Sequence, residues 1–178
     1  AKRAEKLKAV KALANIPLQD YLFENNNDLT FTKRSTDWGF SEPGFSNGAC
    51  YADLDNDGDL ELIINQFNSK AKIFKNNANE LLKNNYLSIK LKGKQPNTDA
   101  IGSKVYVFTK GQMQMQELNP YRGYESSMEP VLHFGIGRNT LADSIKIIWP
   151  GGEQQKEITV KANQVVNIAY AATTRIDD

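Results

Sequence analysis

Apolar and polar residues alternate along the chain from Tyr86 onward. A period of two is typical of strands that bury one face. The apolar positions are Leu87, Ile89 and Leu91; Val105 and Val107; Met113 and Met115; Ile145, Ile147 and Trp149; and Val166, Ile168 and Tyr170. Turn signals such as Lys110-Gly111 and Pro150-Gly151-Gly152 separate these runs. The pattern predicts about seven strands in residues 85–172, packed as an antiparallel β-sandwich.

The N-terminal residues follow a different pattern. In residues 2 to about 14, Ala4, Leu7, Val10 and Ala14 fall near one face of a helix, and Pro17 ends it. We therefore predict a short helical segment within residues 1–20, either an insertion between repeats or a linker.

An internal repeat lies between the helical segment and the sandwich. Residues 22–27 read LFENNN and residues 73–78 read IFKNNA, an offset of 51 residues (73 − 22). This offset is typical of one propeller blade or one solenoid unit. We expect strands near 29–34, 48–53, 60–66 and 71–75, forming one four-stranded blade in residues 21–84. The Asn-rich residues 77–85 are the predicted hinge.

Composition limits the function classes. The chain has 22 Lys and Arg against 21 Asp and Glu, and it shows no basic run flanked by aromatic residues, so nucleic acid is not an expected partner. The hydrophobic content of 40% excludes intrinsic disorder, and no apolar run reaches the roughly 18 residues of a membrane span. Cys50 is the only cysteine, which excludes an internal disulfide. Because the chain does not begin with Met, we expect a piece of a longer protein, ending in a short tail at 173–178.

Residues 53–61 read DLDNDGDLE and place five carboxylates in nine positions. The acidic residues are Asp53, Asp55, Asp57, Asp59 and Glu61. Oxygen ligands at positions 1, 3, 5 and 9, a glycine at position 6 and a backbone carbonyl at position 7 form the ligand pattern of a Ca²⁺ loop. Asp59 would supply that carbonyl. The sequence therefore predicts a calcium site in which the ion offsets carboxylate repulsion.

The loop differs from an EF-hand, which needs a bidentate Glu at position 12 and a following helix. Here Ile64 stands at position 12 and a strand-like run follows, so the loop is expected to join two strands. The alternative is an ordinary Asp-Gly hairpin turn. The residues beside the acidic loop offer no base or nucleophile, so we expect a structural ion and no catalytic residue.

Two segments carry a resemblance to known families. Residues 45–77, with the acidic run and then IFKNN, resemble the VCBS/FG-GAP repeats of integrin-α-like propellers. Residues 100–105 (AIGSKV), 132–137 (LHFGIG), 148–152 (IWPGG) and 162–164 (ANQ) resemble the ASPIC/UnbV domain. The resemblance implies calcium on the five acidic residues, and a large secreted or surface protein of Bacteroidetes-type bacteria whose remaining blades lie outside this chain. It implies no reaction.

Other residues offer candidate sites. His133, the only histidine, is expected to be a packed strand residue, since no GxSxG-type serine accompanies it. The loop at 119–127 offers Tyr121, Arg122, Tyr124 and Ser126, which could stack on and hydrogen-bond a sugar; the alternative is a turn whose tyrosines plug the end of the sandwich. Trp38 and Trp149 are expected in the core.

The function expected from these observations is a calcium-stabilised, non-catalytic module at the cell surface, outer-membrane-associated or extracellular, for adhesion or for binding a glycan or a surface protein. Two alternatives stay open. One is an accessory part of a hydrolase or biosynthetic enzyme whose active site lies outside the chain, and the other is a structural spacer.

Overall fold

The computed structural model describes residues 2–11 and 16–171, which are nearly all β. The helices are α1 (Lys2–Lys11) and α2 (Ala78–Leu82). The strands are β1 (Phe23–Asn25), β2 (Phe31–Lys33), β3 (Ser46–Ala52), β4 (Glu61–Gln66), β5 (Lys72–Phe74), β6 (Asn85–Lys92), β7 (Lys104–Thr109), β8 (Gln112–Glu117), β9 (Val131–Gly137), β10 (Leu141–Ile148), β11 (Gln154–Lys161) and β12 (Val165–Ala169). The all-β class and the short N-terminal helix are confirmed.

The described residues form two compact units. One comprises the residues up to 47 together with 65–71, and the other comprises 48–64 together with the residues from 72 onward. In the first unit, α1 exposes Ala4 and Leu7 to solvent. Ala14, which the helix prediction also used, lies outside the described residues. No described helix is long and apolar enough to cross a membrane.

The predicted blade consists of two sheets, not one. All four expected strands are present, as β2, β3, β4 and β5, but β2 pairs with β1 in a separate two-stranded ladder. The other sheet has the order β3-β4-β5. The prediction missed β1 as a strand because the three residues Phe23–Asn25 are too short to show a period. A single sheet of four strands was therefore wrong, while each of its strands was placed correctly.

The seven strands β6–β12 form the predicted sandwich within the second unit. One sheet has the order β11-β10-β7-β8 and the other has the order β12-β6-β9. Their facing sides bury a core in which Leu87, Val105, Phe134 and Ile145 are fully buried. The expectation of purely antiparallel pairing was wrong at one place, since β12 runs parallel to β6. The cause is that the chain crosses from β11, at the edge of one sheet, to β12 in the other.

Strand β8 reverses the expected faces. Met113 and Met115 are about half exposed, whereas Gln114 and Gln116, which alternate with them, are partly buried. The Gln114 side chain donates to the Gly135 carbonyl at 2.7 Å, and the Gln116 side chain donates to the His133 carbonyl at 2.6 Å. Because β9 is the edge of its sheet, these amides satisfy carbonyls that would otherwise be unpaired. The predicted period of two is correct for β8, but the prediction of which residues face the core was wrong.

The predicted hinge contains α2, which sequence reasoning missed. The helix has five residues and none of them is buried, so no apolar period could reveal it. Asp59 lies beside its first turn, where the Asp59 carboxylate accepts a hydrogen bond from the Asn79 backbone N–H at 3.0 Å. This short helix therefore borders the acidic loop.

Candidate metal centre

The acidic loop joins β3 to β4 and is held by hydrogen bonds to its own carboxylates. Asp53 accepts from the Gly58 N–H at 3.1 Å, and Asp57 accepts from the Asp59 N–H at 3.0 Å. Glu61, at the start of β4, accepts from the Leu54 N–H at 2.8 Å. Asn56 and Gly58 have φ values of 60° and 90°, a left-handed conformation that Asn and Gly tolerate best. The sequence therefore folds the chain back so that its carboxylates converge.

Three of the five predicted ligands lie together. Asp53, Asp55 and Glu61 each offer a carboxylate oxygen, and these oxygens all lie within 4.8 Å of one another. Ligands of one Ca²⁺ at 2.3–2.6 Å can be at most about 5 Å apart, so this spacing fits a single ion. The group contains oxygen donors only, which suits a hard cation.

The remaining two predicted ligands are engaged differently. The Asp57 side chain is exposed and makes the hydrogen bond to Asp59 described above. The Asp59 residue is buried, with 5% of its surface exposed, and its Oδ2 accepts a hydrogen bond from the Asn79 N–H of α2. The structure does not bring either carboxylate into the group of three.

Two carboxylate oxygens of the loop are buried without a hydrogen-bond partner. They are Oδ1 of Asp53 and Oδ1 of Asp59. Burial raises the pKa of the Asp59 carboxyl above its usual range, and the charges of Asp57 and Glu61 add to the rise. A buried carboxylate oxygen that lacks a partner costs stability unless a cation or a proton neutralises it. The residues present therefore fit a divalent cation.

Residues outside the acidic run complete the surroundings of the loop. Lys75, just after β5, places its ammonium 2.9 Å from Oδ2 of Asp55, and this hydrogen bond lowers the pKa of the Asp55 carboxyl. The Asn76 N–H donates to Glu61 at 3.3 Å, and the Asn79 side chain donates to the Asp57 carbonyl at 2.6 Å. Sequence reasoning did not single out these contacts, although Lys75 and Asn76 belong to the repeated segment at 73–78.

Tyr86 of β6 connects the loop to the sandwich. Its ring lies against Gly58, and it stacks on the His133 ring with centroids 5.4 Å apart. Burial raises the pKa of the Tyr86 hydroxyl, and the nearby charges of Asp53 and Asp57 raise it further. His133 Nδ1 lies 3.0 Å from the Ser88 hydroxyl, and burial lowers the pKa of the imidazole. His133 is thus a packed strand residue of β9, as expected.

The tyrosine loop is solvent-exposed. Tyr121 is 68% exposed and Tyr124 is 60% exposed, so the rings do not plug the sandwich, and that alternative was wrong. The Arg122 Nε donates to the Asn119 carbonyl at 3.4 Å, and the Ser126 hydroxyl donates to the Tyr124 carbonyl at 2.8 Å. Trp149 is buried as expected, whereas Trp38 is 48% exposed and its core assignment was wrong.

Two family models match the chain. The model described as an FG-GAP-like repeat matches residues 12–64, and the model described as ASPIC and UnbV matches residues 93–175. Both resemblances predicted from the sequence are confirmed, in the predicted order. The exact domain limits at 20/21, 84/85 and 172/173 stay predictions.

The chain is also similar to cartilage acidic protein 1 from several vertebrates. The Xenopus tropicalis protein is 35% identical over 137 residues, which is 73% of this chain and 21% of that protein. The Mus musculus and Homo sapiens proteins are 32% and 31% identical over 137 residues, which is 71% of this chain and 20% of each relative. The chain therefore spans about a fifth of the length of these relatives.

Proposed function

Since the chain consists of an FG-GAP-like repeat followed by an ASPIC/UnbV domain, we propose that it is a calcium-stabilised, non-catalytic module of a larger extracellular or cell-surface protein. The observation that carries this proposal is the convergence of Asp53, Asp55 and Glu61, whose oxygens lie within 4.8 Å. The relatives are named for cartilage, an extracellular tissue, which supports placement outside the cell. The proposal includes attachment of this larger protein to a bacterial outer membrane.

Charge favours an ion at this loop. Five carboxylates repel one another, and Lys75 places one positive charge beside Asp55 of the group of three. A divalent cation neutralises two charges at once and offers a partner to the unpaired oxygen of Asp53. The five predicted ligands, Asp53, Asp55, Asp57, Asp59 and Glu61, would hold it through side chains and, for Asp59, through the backbone carbonyl. The ion would supply cross-linking of the β3–β4 connection, not chemistry.

The absence of a catalytic role rests on what surrounds the loop. Tyr86 of the sandwich lies against the loop, and the His133 imidazole, stacked on Tyr86 and 3.0 Å from the Ser88 hydroxyl, is partly buried. A general base must reach its substrate, and the partial burial of this imidazole restricts its access to one. These features support a binding or structural role for the module.

The tyrosine loop supports ligand binding in place of a spacer role. Tyr121 and Tyr124 lie on one loop and are both more than half exposed, so their rings are available to a partner. Aromatic faces beside Arg122 suit a neutral or acidic sugar, or a protein surface. A glycan array on multimerised protein, compared with a Tyr121→Ala/Tyr124→Ala double variant, tests this: we expect loss of signal in the variant, and equal binding by both proteins would contradict it.

Thermal unfolding with and without calcium tests the proposed function as a whole. Because Ca²⁺ binds the folded state only, the Tm should rise by an amount set by RT ln(1 + [Ca²⁺]/Kd), with Kd about 10⁻⁴–10⁻³ M for an extracellular module. Chelator should reverse the rise. Asp53→Asn should abolish it, whereas Asp143→Asn, on β10 and away from the loop, should keep it. The same Tm in millimolar Ca²⁺ and in chelator would contradict the proposal.

A further inference from the structure

The sheet β11-β10-β7-β8 has one face in the sandwich core and one face turned away from it. Val105 and Val107 of β7, and Ile145 and Ile147 of β10, point into the core and are fully buried. Successive side chains of a strand point to opposite faces, and directly opposite residues of paired strands share a face. The residues that alternate with these four, together with their cross-strand partners, therefore form the outer face of the sheet.

Four large apolar side chains lie together on the β7–β8 half of the outer face. Phe108 is directly opposite Met113, and Tyr106 is directly opposite Met115. Opposite residues lie about 5 Å apart, and the next pair on the same face lies about 7 Å further along the strands. Met113 and Met115 are about half exposed, and Tyr106 and Phe108 are partly exposed. These four side chains form the apolar quartet.

Three lysines lie beside the apolar quartet. Lys146 of β10 is directly opposite Tyr106 on one side and Lys156 of β11 on the other, and Lys104 precedes Tyr106 by two residues on β7. None of the three ammonium groups has a hydrogen bond or an ion pair with another residue in the described part of the chain. Glu117, opposite Lys104, is the one acidic residue in these paired rows. The outer face is therefore positively charged next to the quartet.

Protection of the sheet edges does not explain these lysines. Lysines on edge strands hinder pairing with another chain. Lys104 and Lys146, however, lie on β7 and β10, which are the two inner strands of this sheet. Lys146 and Lys156 are also directly opposite each other, and like charges in that position destabilise a sheet. Unpaired like charges beside exposed apolar side chains are typical of a surface that meets a partner.

Charge complementarity identifies the chemistry of that partner. The lysines need carboxylates within about 4 Å, and the apolar quartet needs apolar side chains. We propose that the outer face binds an acidic amphipathic helix of another protein. The apolar stripe of the helix lies on the quartet, and the acidic residues that flank the stripe lie over Lys146 and Lys156.

The dimensions of the outer face fit such a helix. Neighbouring strands are about 4.8 Å apart, so Lys146 and Lys156 lie about 5 and 10 Å from Tyr106 across the sheet. A helix is about 10–12 Å wide with its side chains, so acidic residues on its flank come over both lysines. Successive turns of the apolar stripe are about 5.4 Å apart, close to the spacing of about 7 Å between the two pairs of the quartet.

Other occupants match the outer face less well. A second copy that docked through the same face would place lysines against lysines. A membrane surface would need apolar side chains that protrude, but Tyr106 and Phe108 lie on an inner strand and are only partly exposed. An acidic polysaccharide would pair with the lysines but would leave Met113, Met115 and Phe108 without an apolar partner, whereas methionine side chains adapt readily to apolar protein surfaces.

The three methionines of the chain make a direct test practical. Met113 and Met115 belong to the quartet, whereas Met128 lies before β9 and outside the outer face. The probe is a peptide of about 18 residues, with leucines at helical spacing on one side and glutamates on both flanks. Titrated into the full chain with isotope-labelled methionine methyl groups, it should shift the NMR signals of Met113 and Met115 saturably, with a Kd of about 10–100 μM. The Met128 signal should stay in place, and single Met→Leu variants assign the signals.

Two control peptides separate the apolar and the charged parts of the proposed interaction. A scrambled peptide of the same composition has no apolar stripe and should give no saturable shift. The peptide in which every glutamate is replaced by lysine should give none either. Equal binding of the scrambled peptide would show that charge alone is recognised, and equal binding of the lysine peptide would show that the lysines of the outer face play no part. Either result would overturn the proposal.

A matched pair of double variants tests the lysines. Lys146→Gln/Lys156→Gln should weaken binding of the acidic peptide about three- to tenfold, the range for two exposed ion pairs. Its affinity should also fall less than that of the wild type when NaCl is raised from about 50 to 500 mM. Lys8→Gln/Lys90→Gln removes the same charge from α1 and from the other sheet, and should bind like the wild type. Equal affinity of the wild type and Lys146→Gln/Lys156→Gln would overturn the proposal; if that variant does not fold, the lysine peptide on the wild type still decides.

Three further outcomes would also overturn it. One is the absence of a saturable shift up to about 1 mM of the acidic peptide. The others are shifts of the Met113 and Met115 signals by alginate, a carboxylate polysaccharide, or by phosphatidylglycerol vesicles, that equal or exceed those by the peptide. The proposal goes beyond the function proposed above, since it needs neither calcium nor the tyrosine loop. Its failure would leave the calcium-dependent Tm untouched, so the two proposals are tested separately.

Discussion

The ring of Tyr86 occupies the space that a side chain on Gly58 would need. A Cβ built on Gly58 would lie 1.8 Å from Cε1 of Tyr86, and Gly58 has a φ of +90°. The sequence explains this glycine by the sharp turn of a calcium loop; the structure adds a second reason, which is the close approach of an aromatic ring from β6. Because Tyr86 also stacks on His133, the loop geometry is coupled to the sandwich.

Substitution of Gly58 by alanine should therefore be costly for two reasons. A non-glycine residue in the left-handed region costs about 1–2 kcal/mol, and forcing Tyr86 out of its place adds about 1–3 kcal/mol. We expect the free energy of unfolding, measured with urea in chelator, to fall by roughly 2–5 kcal/mol, the sum of these two costs. Gly102→Ala is the matched control, since Gly102 has a φ of +88° and nothing within 4 Å of its Cβ position. Equal losses in the two variants would show that Tyr86 does not restrict the loop.

Lys75 should compete with calcium for Asp55. Its ammonium lies 2.9 Å from Oδ2 of Asp55, one of the three clustered carboxylates, and it must move away or share that oxygen when an ion binds. Lys75→Met should therefore tighten Ca²⁺ binding about two- to fivefold, the range expected for an exposed ion pair. The same variant should unfold more easily in chelator, because the carboxylates lose a nearby positive charge.

A matched lysine separates this effect from net charge. Lys90→Met removes an ion pair with Glu129 at 2.8 Å in the sandwich and changes the net charge equally. Its Ca²⁺ affinity, measured by calorimetry, should equal that of the wild type. If Lys75→Met leaves the affinity unchanged or weakens it, Lys75 supports the site instead of competing for it.

His133 should make the folded protein less stable in mild acid. Burial lowers the pKa of the imidazole below the unfolded value of about 6.5, so the unfolded chain binds more protons in this range and stability rises with pH. The stability that the neutral imidazole of His133 contributes is fully present above about pH 6.5. It is lost as the pH falls towards the folded-state pKa of His133. Urea unfolding between pH 8 and pH 5.5 should show this decline.

His133→Gln should flatten that decline, because His133 is the single histidine. Asp59, whose pKa burial raises, contributes with the opposite sign, but it is present in both proteins and cancels in the difference. An identical slope in wild type and variant would contradict the assignment.

Neither protein should turn over chromogenic glycosides, esters or phosphoesters; an activity that the variant loses would instead favour a hydrolase.

The parts of the fold that the sequence predicted are those with a regular period or a fixed ligand spacing. Leu87 and Ile89 alternate with polar residues and are fully buried. Met113 and Met115 show the same alternation, but their strand is an edge where glutamine side chains face the neighbouring sheet, and no local pattern distinguishes the two cases. Pairing between distant strands, such as β6 with β12, is likewise set by tertiary packing.

In the candidate site, too, the sequence predicted some residues and not others. The spacing of the acidic run placed Asp53, Asp55 and Glu61 at one point because a tight turn brings positions 1, 3 and 9 together. Tyr86 and Asn79 approach the loop from other elements, so the local sequence carries no signal for them. Lys75 was only partly predictable. It belongs to the repeated segment at 73–78, but nothing in that repeat indicates its contact with Asp55.

Calorimetric titration of Ca²⁺ into chelator-stripped protein tests the central claim most directly. We expect one site with a Kd of about 10⁻⁴–10⁻³ M, much weaker binding of Mg²⁺, which needs stricter octahedral geometry, and loss of the Ca²⁺ signal in Asp53→Asn with the fold intact. No heat of binding up to about 10 mM Ca²⁺, or the same binding curve in wild type and Asp53→Asn, would contradict it.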